Sequence, residues 1–128
     1  MNTLIEEKID IAPELLEQCS TLEEKQVIVH CTVTGIPYYN TFRVWPTIYL
    51  IPKESDKKSK LLHYFNIEMY HASQLIGATG QNHFTLIFEG LAPSCNYFDI
   101  LEIIPETGAF EARNIARNES DVYSVIFD

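Results

Sequence analysis

A chain of 128 residues that is 46% hydrophobic, 12% aromatic and 21% charged is one packed domain; a disordered chain could not combine so many rings with so little charge. Its net charge of −9 excludes nucleic acid and anionic lipid as partners, since phosphates demand clustered Lys and Arg. With no signal-peptide pattern at its start and no apolar run near the roughly 20 residues of a bilayer span, the chain is expected in the cytoplasm, with no membrane contact.

The charge is uneven. Residues 1–24 hold seven acids and one base, while the remaining residues hold eleven acids and eight bases. Residues 1–26 therefore read as an acidic N-terminal segment and 27–128 as the folded domain. Within the segment, Pro13 at a first helical position, the acids behind it, and Leu15, Leu16 and Cys19 at helical spacing predict a short helix over 10–26.

From Val27 the period changes to two. Val27, Val29, Cys31 and Val33 fall on one face, Ile28, His30, Thr32 and Thr34 on the other, and Gly35 ends the strand. Residues 41–54 and 60–72 read as a hairpin across the exposed turn 55–59, with Pro46 and Pro52 interrupting the first arm because proline cannot donate to a ladder. Four further strands follow over 83–91, 97–104, 110–116 and 121–127, separated by "APSCN", "PETGA" and "RNES". Seven short strands without helical crossovers predict an all-β fold, an antiparallel sandwich, with a small β-barrel as the alternative.

Two resemblances bear on this. "GLAPSCNYFDI", 90–100, places Gly90, Leu91, Pro93 and Tyr97 between two strands. It is similar to the corner of fibronectin type III domains, where a tyrosine hydroxyl returns to the backbone upstream. The resemblance implies that Leu91, Pro93 and Tyr97 form a structural corner, with the Tyr97 ring buried and its hydroxyl bonded near Leu91. The stretches "WPTIYLIPKESDKKSKLLHYFNI", "FTLIFEGLAPSC", "FDILEIIPETGAF" and "NIARNESDVYSVIF" resemble a family of small immunoglobulin-like domains of Bacteroidetes-type bacteria, which implies a fold and no mechanism.

No catalytic constellation emerges. Cys19, Cys31 and Cys95 are an odd set without paired spacing, expected as free thiols in a reducing compartment. Cys95 has no basic neighbour in sequence to activate it, and Ser94 lacks the context of a nucleophile elbow. A metal would need ligands converging within about 2.2 Å of one ion. His63 and His71, on one continuous strand, would stand roughly 26 Å apart, and His30 points away from Cys31, so no metal and no cofactor are expected. Asp99 and Glu102, three apart, face opposite sides of a strand and read as solvated positions rather than an acid and base pair.

The stretch that exceeds structural need is "GIPYYNTFRVW", 35–45. Tyr, Trp and Arg are the usual anchors of binding surfaces, so Tyr38, Tyr39, Arg43 and Trp45 are the candidate partner-binding residues. The expected function is a non-catalytic module that binds a protein partner or forms a homo-oligomer. The alternative is a small ligand carrier or hydrolase with a dispersed site, which would need a concave cavity with convergent polar groups.

Overall fold

The computed structural model describes residues 25–128; the expected N-terminal helix and Cys19 lie outside the described residues. These fold into nine strands: β1 (Val27–Thr34), β2 (Thr41–Phe42), β3 (Ile48–Pro52), β4 (Ser59–Phe65), β5 (Gln74–Leu75), β6 (Gln81–Phe88), β7 (Tyr97–Glu102), β8 (Glu111–Ala116) and β9 (Val122–Phe127). Among the described residues there is no helix, and the fold is all-β.

Seven strands form one sheet in the order β8-β7-β3-β4-β6-β1-β9, and β2 pairs with β5 in a separate ribbon. All neighbours are antiparallel except β1 and β9, which run parallel from Ile28 opposite Val122 to Val33 opposite Phe127. The end strands β8 and β9 touch, so the sheet curls nearly round on itself. The core lies inside that curl. The period-two face of β1 (Val27, Val29, Cys31, Val33) meets Phe84, Leu86 and Phe88 of β6, Ile48 and Leu50 of β3, and Phe98 and Ile100 of β7, all buried. Alternation of apolar and polar residues put these side chains on one side because successive Cβ atoms leave a strand on opposite faces.

The expected long hairpin takes a different form. β3 and β4 pair only at Tyr49 with Lys60 and Leu50 with Ser59. Beyond that point β3 runs along β7 and β4 along β6. Pro46, lacking an N–H and biasing the preceding residue away from helix, sits where residues 41–54 divide. The part before it peels away to join β5, and the part after it stays in the main sheet. The second arm ends at Phe65, where Asn66 takes a positive φ of 65°, so His71 lies past the strand rather than on it.

The corner 91–96 is also built differently from expectation. Leu91 is buried, but Tyr97 is 50% exposed and its hydroxyl makes no hydrogen bond among the described residues, while Pro93 lies on the surface. The inward position of β7 belongs to Phe98, one residue later, so the tyrosine is turned out of the core. The backbone is instead held by Arg117, whose guanidinium donates to the carbonyls of Ala92 (2.8 Å), Cys95 (3.1 Å) and Leu91 (3.4 Å). Its other edge pairs with Asp121 at 2.6 and 3.0 Å. The buried tyrosine of this corner is Tyr123, donating to Asp121 at 2.9 Å and accepting from the Asn118 N–H at 3.0 Å.

Candidate functional site

The loop between β1 and β2 is folded by its own asparagine. Asn40 Oδ1 accepts the Ile36 N–H (2.6 Å), and the Asn40 N–H returns to the Ile36 carbonyl (3.1 Å). Tyr38 donates its N–H to the Ile76 carbonyl and Asn40 accepts from the Ile76 N–H, so the loop is clipped to the chain just after β5. Tyr38 sits at φ 60°, a left-handed conformation costly for a bulky residue. Tyr38 is 68% exposed and Tyr39 75%, beside exposed Ile36 and Leu75. Two aromatic rings thus stand in solvent on a loop whose backbone is held by hydrogen bonds.

Arg43 and Trp45 separate from that loop and face a cleft. The indole of Trp45 stacks on Tyr70 at 3.8 Å between centroids, and the Arg43 guanidinium lies 5.4 Å from the same Tyr70 ring while pairing with Glu106 at 3.4 Å. The parallel bridge between Val44 and Met69 and the Tyr70 N–H to Val44 carbonyl bond bring the two segments together. The Trp45 indole N–H is buried without an acceptor among the described residues.

The cleft has a volume of about 700 Å³, and Phe42, Trp45, Phe110, Arg43, Glu102 and Glu106 contribute to its walls. Glu102 is its chemical feature. It is buried, not solvated as expected, because it continues the inward register of Phe98 and Ile100. Its carboxylate accepts the N–H groups of Trp45 (2.8 Å) and Phe110 (3.0 Å), tying the loop before β3 to the segment before β8. Desolvation pushes its carboxyl above the usual range, and the nearby charge of Glu106 adds to this against the two N–H donors.

Asp99, also expected in solvent, is buried on the other side of β7. It fills a bulge where Arg113 and Asn114 of β8 oppose it alone, with Asn114 at φ 59°. It accepts from the Asn114 N–H (2.8 Å), Lys53 (3.0 Å) and Arg113 (3.3 Å). Desolvation raises its carboxyl, but these donors outweigh burial and hold it below the ordinary carboxylate range. Asp99 and Glu102 are thus occupied in different places and do not meet as an acid and base pair.

Cys31 and Cys95 are free thiols, both buried. Burial pushes the Cys31 thiol up to about 12 and raises that of Cys95, where Arg117 only partly opposes it; neither is poised as a nucleophile. Among the described residues no three His, Cys, Asp or Glu side chains cluster as a metal site would need, and no helix is long and apolar enough to cross a membrane. The sequence reading missed Tyr70, Glu106 and Phe110 as neighbours of Arg43 and Trp45, because folding brings them from distant segments. Glu102 alone had a signal: a carboxylate continuing the apolar alternation of β7. Comparison with protein-family models, curated proteins and solved structures returns no match.

Proposed function

We propose that the chain is a non-catalytic interaction module that binds a protein partner through the loop that carries Tyr38 and Tyr39, with Arg43, in the cleft, as a second anchor. One observation carries the reading: two tyrosines stand exposed at 68% and 75% on a loop fixed by backbone hydrogen bonds, one of them in a strained conformation. Rings on a loop already held in place bring large contact area with little backbone left to order on binding. Exposed rings gathered on one loop in this way suit an interaction site. The test is the dissociation constant of a partner recovered from the native host, compared between the parent and a folded Tyr38→Ala, Tyr39→Ala, Arg43→Ala variant. A weakening of tenfold or more is expected; a change under about threefold, roughly 0.7 kcal/mol, removes the loop from the functional account.

The scaffold in this reading is an immunoglobulin-like sandwich. The support is the strand order: β9-β1-β6-β4 and β3-β7-β8 follow the four-plus-three arrangement of constant-type domains, with β9 in the place of the first strand. The two-residue pairing of β3 with β4 would then be the only hydrogen-bonded seam between the two sheets among the described residues, with β8 and β9 in contact at their other edges. A bacterial origin among small immunoglobulin-like domains and a cytoplasmic setting belong to the same proposal; two unpaired thiols suit a reducing compartment.

A second reading, a small-ligand carrier, is favoured by the cleft: a buried indole N–H without an acceptor among the described residues is the kind of loose end a ligand completes. Trp45 fluorescence titrated with ligand mixtures tests it, and a quench abolished in Arg43→Ala would support it over the protein-binding reading.

A further inference from the structure

The described residues bury three carboxylates, Asp99, Glu102 and Asp121, at 4%, 6% and 3% exposure. Two of them hold cations. Asp99 takes Lys53 at 3.0 Å and Arg113 at 3.3 Å, and Asp121 takes Arg117 at 2.6 Å. Glu102 forms no ion pair among the described residues. Its donors are two backbone N–H groups, one on each oxygen. A carboxylate offers about four acceptor positions, so half of that capacity is unused. Burying a charge without an opposite one is unfavourable, and a fold that supplies cations to Asp99 and Asp121 leaves Glu102 short of one.

The titration of the three groups follows the same division. Burial raises each of them, yet their donors and cations carry Asp99 and Asp121 below the ordinary range, while Glu102 stays above it. A positive charge is what the surroundings of Glu102 lack.

Of the three, Glu102 is the one that lines the cleft of about 700 Å³, a volume in the range of small-molecule sites. Glu106 and Asp128, both exposed, line it too. Against these acids stands one base, Arg43, which is engaged by Glu106 at 3.4 Å and by the Tyr70 ring; it braces the wall that carries Trp45 and makes no ion pair with Glu102. Phe42, Trp45 and Phe110 add aromatic surface, and ring faces attract cations as well as apolar groups. The acids do not close into a cluster that could hold a metal ion, so the missing charge belongs to a larger molecule that spans the cleft.

We propose that the cleft binds a small organic cation, an amine or guanidinium on an apolar or aromatic body, with its charged head facing Glu102 and its body against Phe42, Trp45 and Phe110. The inference rests on the carrier reading of the cleft and names the class of ligand carried. The head donates charge-assisted hydrogen bonds to the unused acceptor positions of a buried carboxylate, and a carboxylate ligand of the same shape is repelled.

Trp45 is the single tryptophan of the chain, so its fluorescence reports the cleft. The experiment titrates the full chain at neutral pH with phenethylamine, phenethyl alcohol and phenylacetate, which share a ring and a chain length and differ in the charge of the head. Phenethylamine is expected to saturate with a dissociation constant on the order of a millimolar or below, and the other two to bind about tenfold more weakly or worse. Glu102→Gln keeps the size and removes the charge, and should bring the amine down to the level of the alcohol. Because glutamine sets a donor against one of the two backbone N–H groups and can unsettle the fold, Glu106→Gln with Asp128→Asn, both at exposed positions, is the second variant. It should keep the parent circular dichroism spectrum, weaken the amine about threefold or more and leave the alcohol unchanged. An amine that binds no better than the alcohol or the acid, or that is unaffected in either folded variant, overturns the cation assignment and leaves the carrier reading standing. No saturable change of Trp45 with any of the three overturns both.

Discussion

At the scale of residues, the polar groups buried in this fold do structural work that their exposed-looking sequence context hides. Asp99 lies among Ile100, Phe98 and a polar turn, and nothing local says that a β8 bulge will close over it. Its carboxylate holds the Asn114 N–H and two cations, so Asp99→Asn should cost about 2 kcal/mol at neutral pH; the exposure of Lys53 and Arg113 tempers the full cost of breaking a buried pair. The pH dependence has a definite sign. A carboxyl lowered in the folded state stabilises above its unfolded value of 3.8, and this contribution fades as pH falls through the lower folded value. Urea melts of parent and variant should therefore converge in acid; a constant gap from pH 7 to 2.5 would mean that the substitution costs packing rather than charge. Tyr97 and Tyr123 make a paired test. Tyr97→Phe removes a hydroxyl that bonds nothing among the described residues and should leave the denaturant midpoint within error. Tyr123→Phe strips a donor from Asp121 and an acceptor from the Asn118 N–H and should cost about 1–2 kcal/mol. Equal midpoints for all three proteins would remove the hydroxyl from the stability account.

At the scale of elements, the strands that alternate cleanly were legible and those that change partner were not. β1 and β6 could be read from period two because one side of each faces the core and the pattern is written residue by residue, whereas β7 buries Asp99 between Phe98 and Ile100 and turns Tyr97 outward, so its facing was misread. The division of residues 41–54 into β2 and β3 was half legible: Pro46 announced an interruption, but pairing of Thr41 and Phe42 with Leu75 and Gln74 depends on a segment more than thirty residues away. The turn between β6 and β7 was legible and its fastening misread. The chain does turn at Pro93 and Ser94, yet the pin comes from Arg117, 22 to 26 residues later, and no local spacing carries that. A guanidinium is suited to this position because its planar fork reaches three carbonyls with one edge and a carboxylate with the other. Arg117→Lys keeps the charge and loses the fork, so it should destabilise by about 3 kcal/mol, close to Arg117→Met, because Asp121 is left buried beside a poorer partner. If chemical denaturation places Arg117→Lys within 0.5 kcal/mol or so of the parent, charge alone holds the corner and the fork geometry is irrelevant.

At the scale of the whole molecule, composition set a packed chain and the strand patterning its all-β class, while the candidate site was legible only in part. Tyr38 and Tyr39 stand exposed where an aromatic-rich loop placed them, whereas the cleft around Arg43 and Trp45 is assembled from β2, the Tyr70 segment, the end of β7 and the chain before β8, a convergence only the sheet order creates. That order also makes β1 the strand most deeply held, with β6 on one side over eight residues and β9 on the other over six. Cys31 lies at its middle, 1% exposed, with a thiol pushed up to about 12, so it cannot react until β1 parts from at least one neighbour. Both pairings bury core residues, Leu86 and Phe88 on one side and Tyr123 and Phe127 on the other, so parting either exposes most of the core. In a chain with Cys19→Ser and Cys95→Ser, thiol labelling of Cys31 under native conditions should therefore speed up with added urea along the same slope as global unfolding, since that slope reports the surface exposed by the reactive opening. A shallow slope would show that β9 detaches alone, and the C-terminal strand rather than β1 would then be the weak point of the fold.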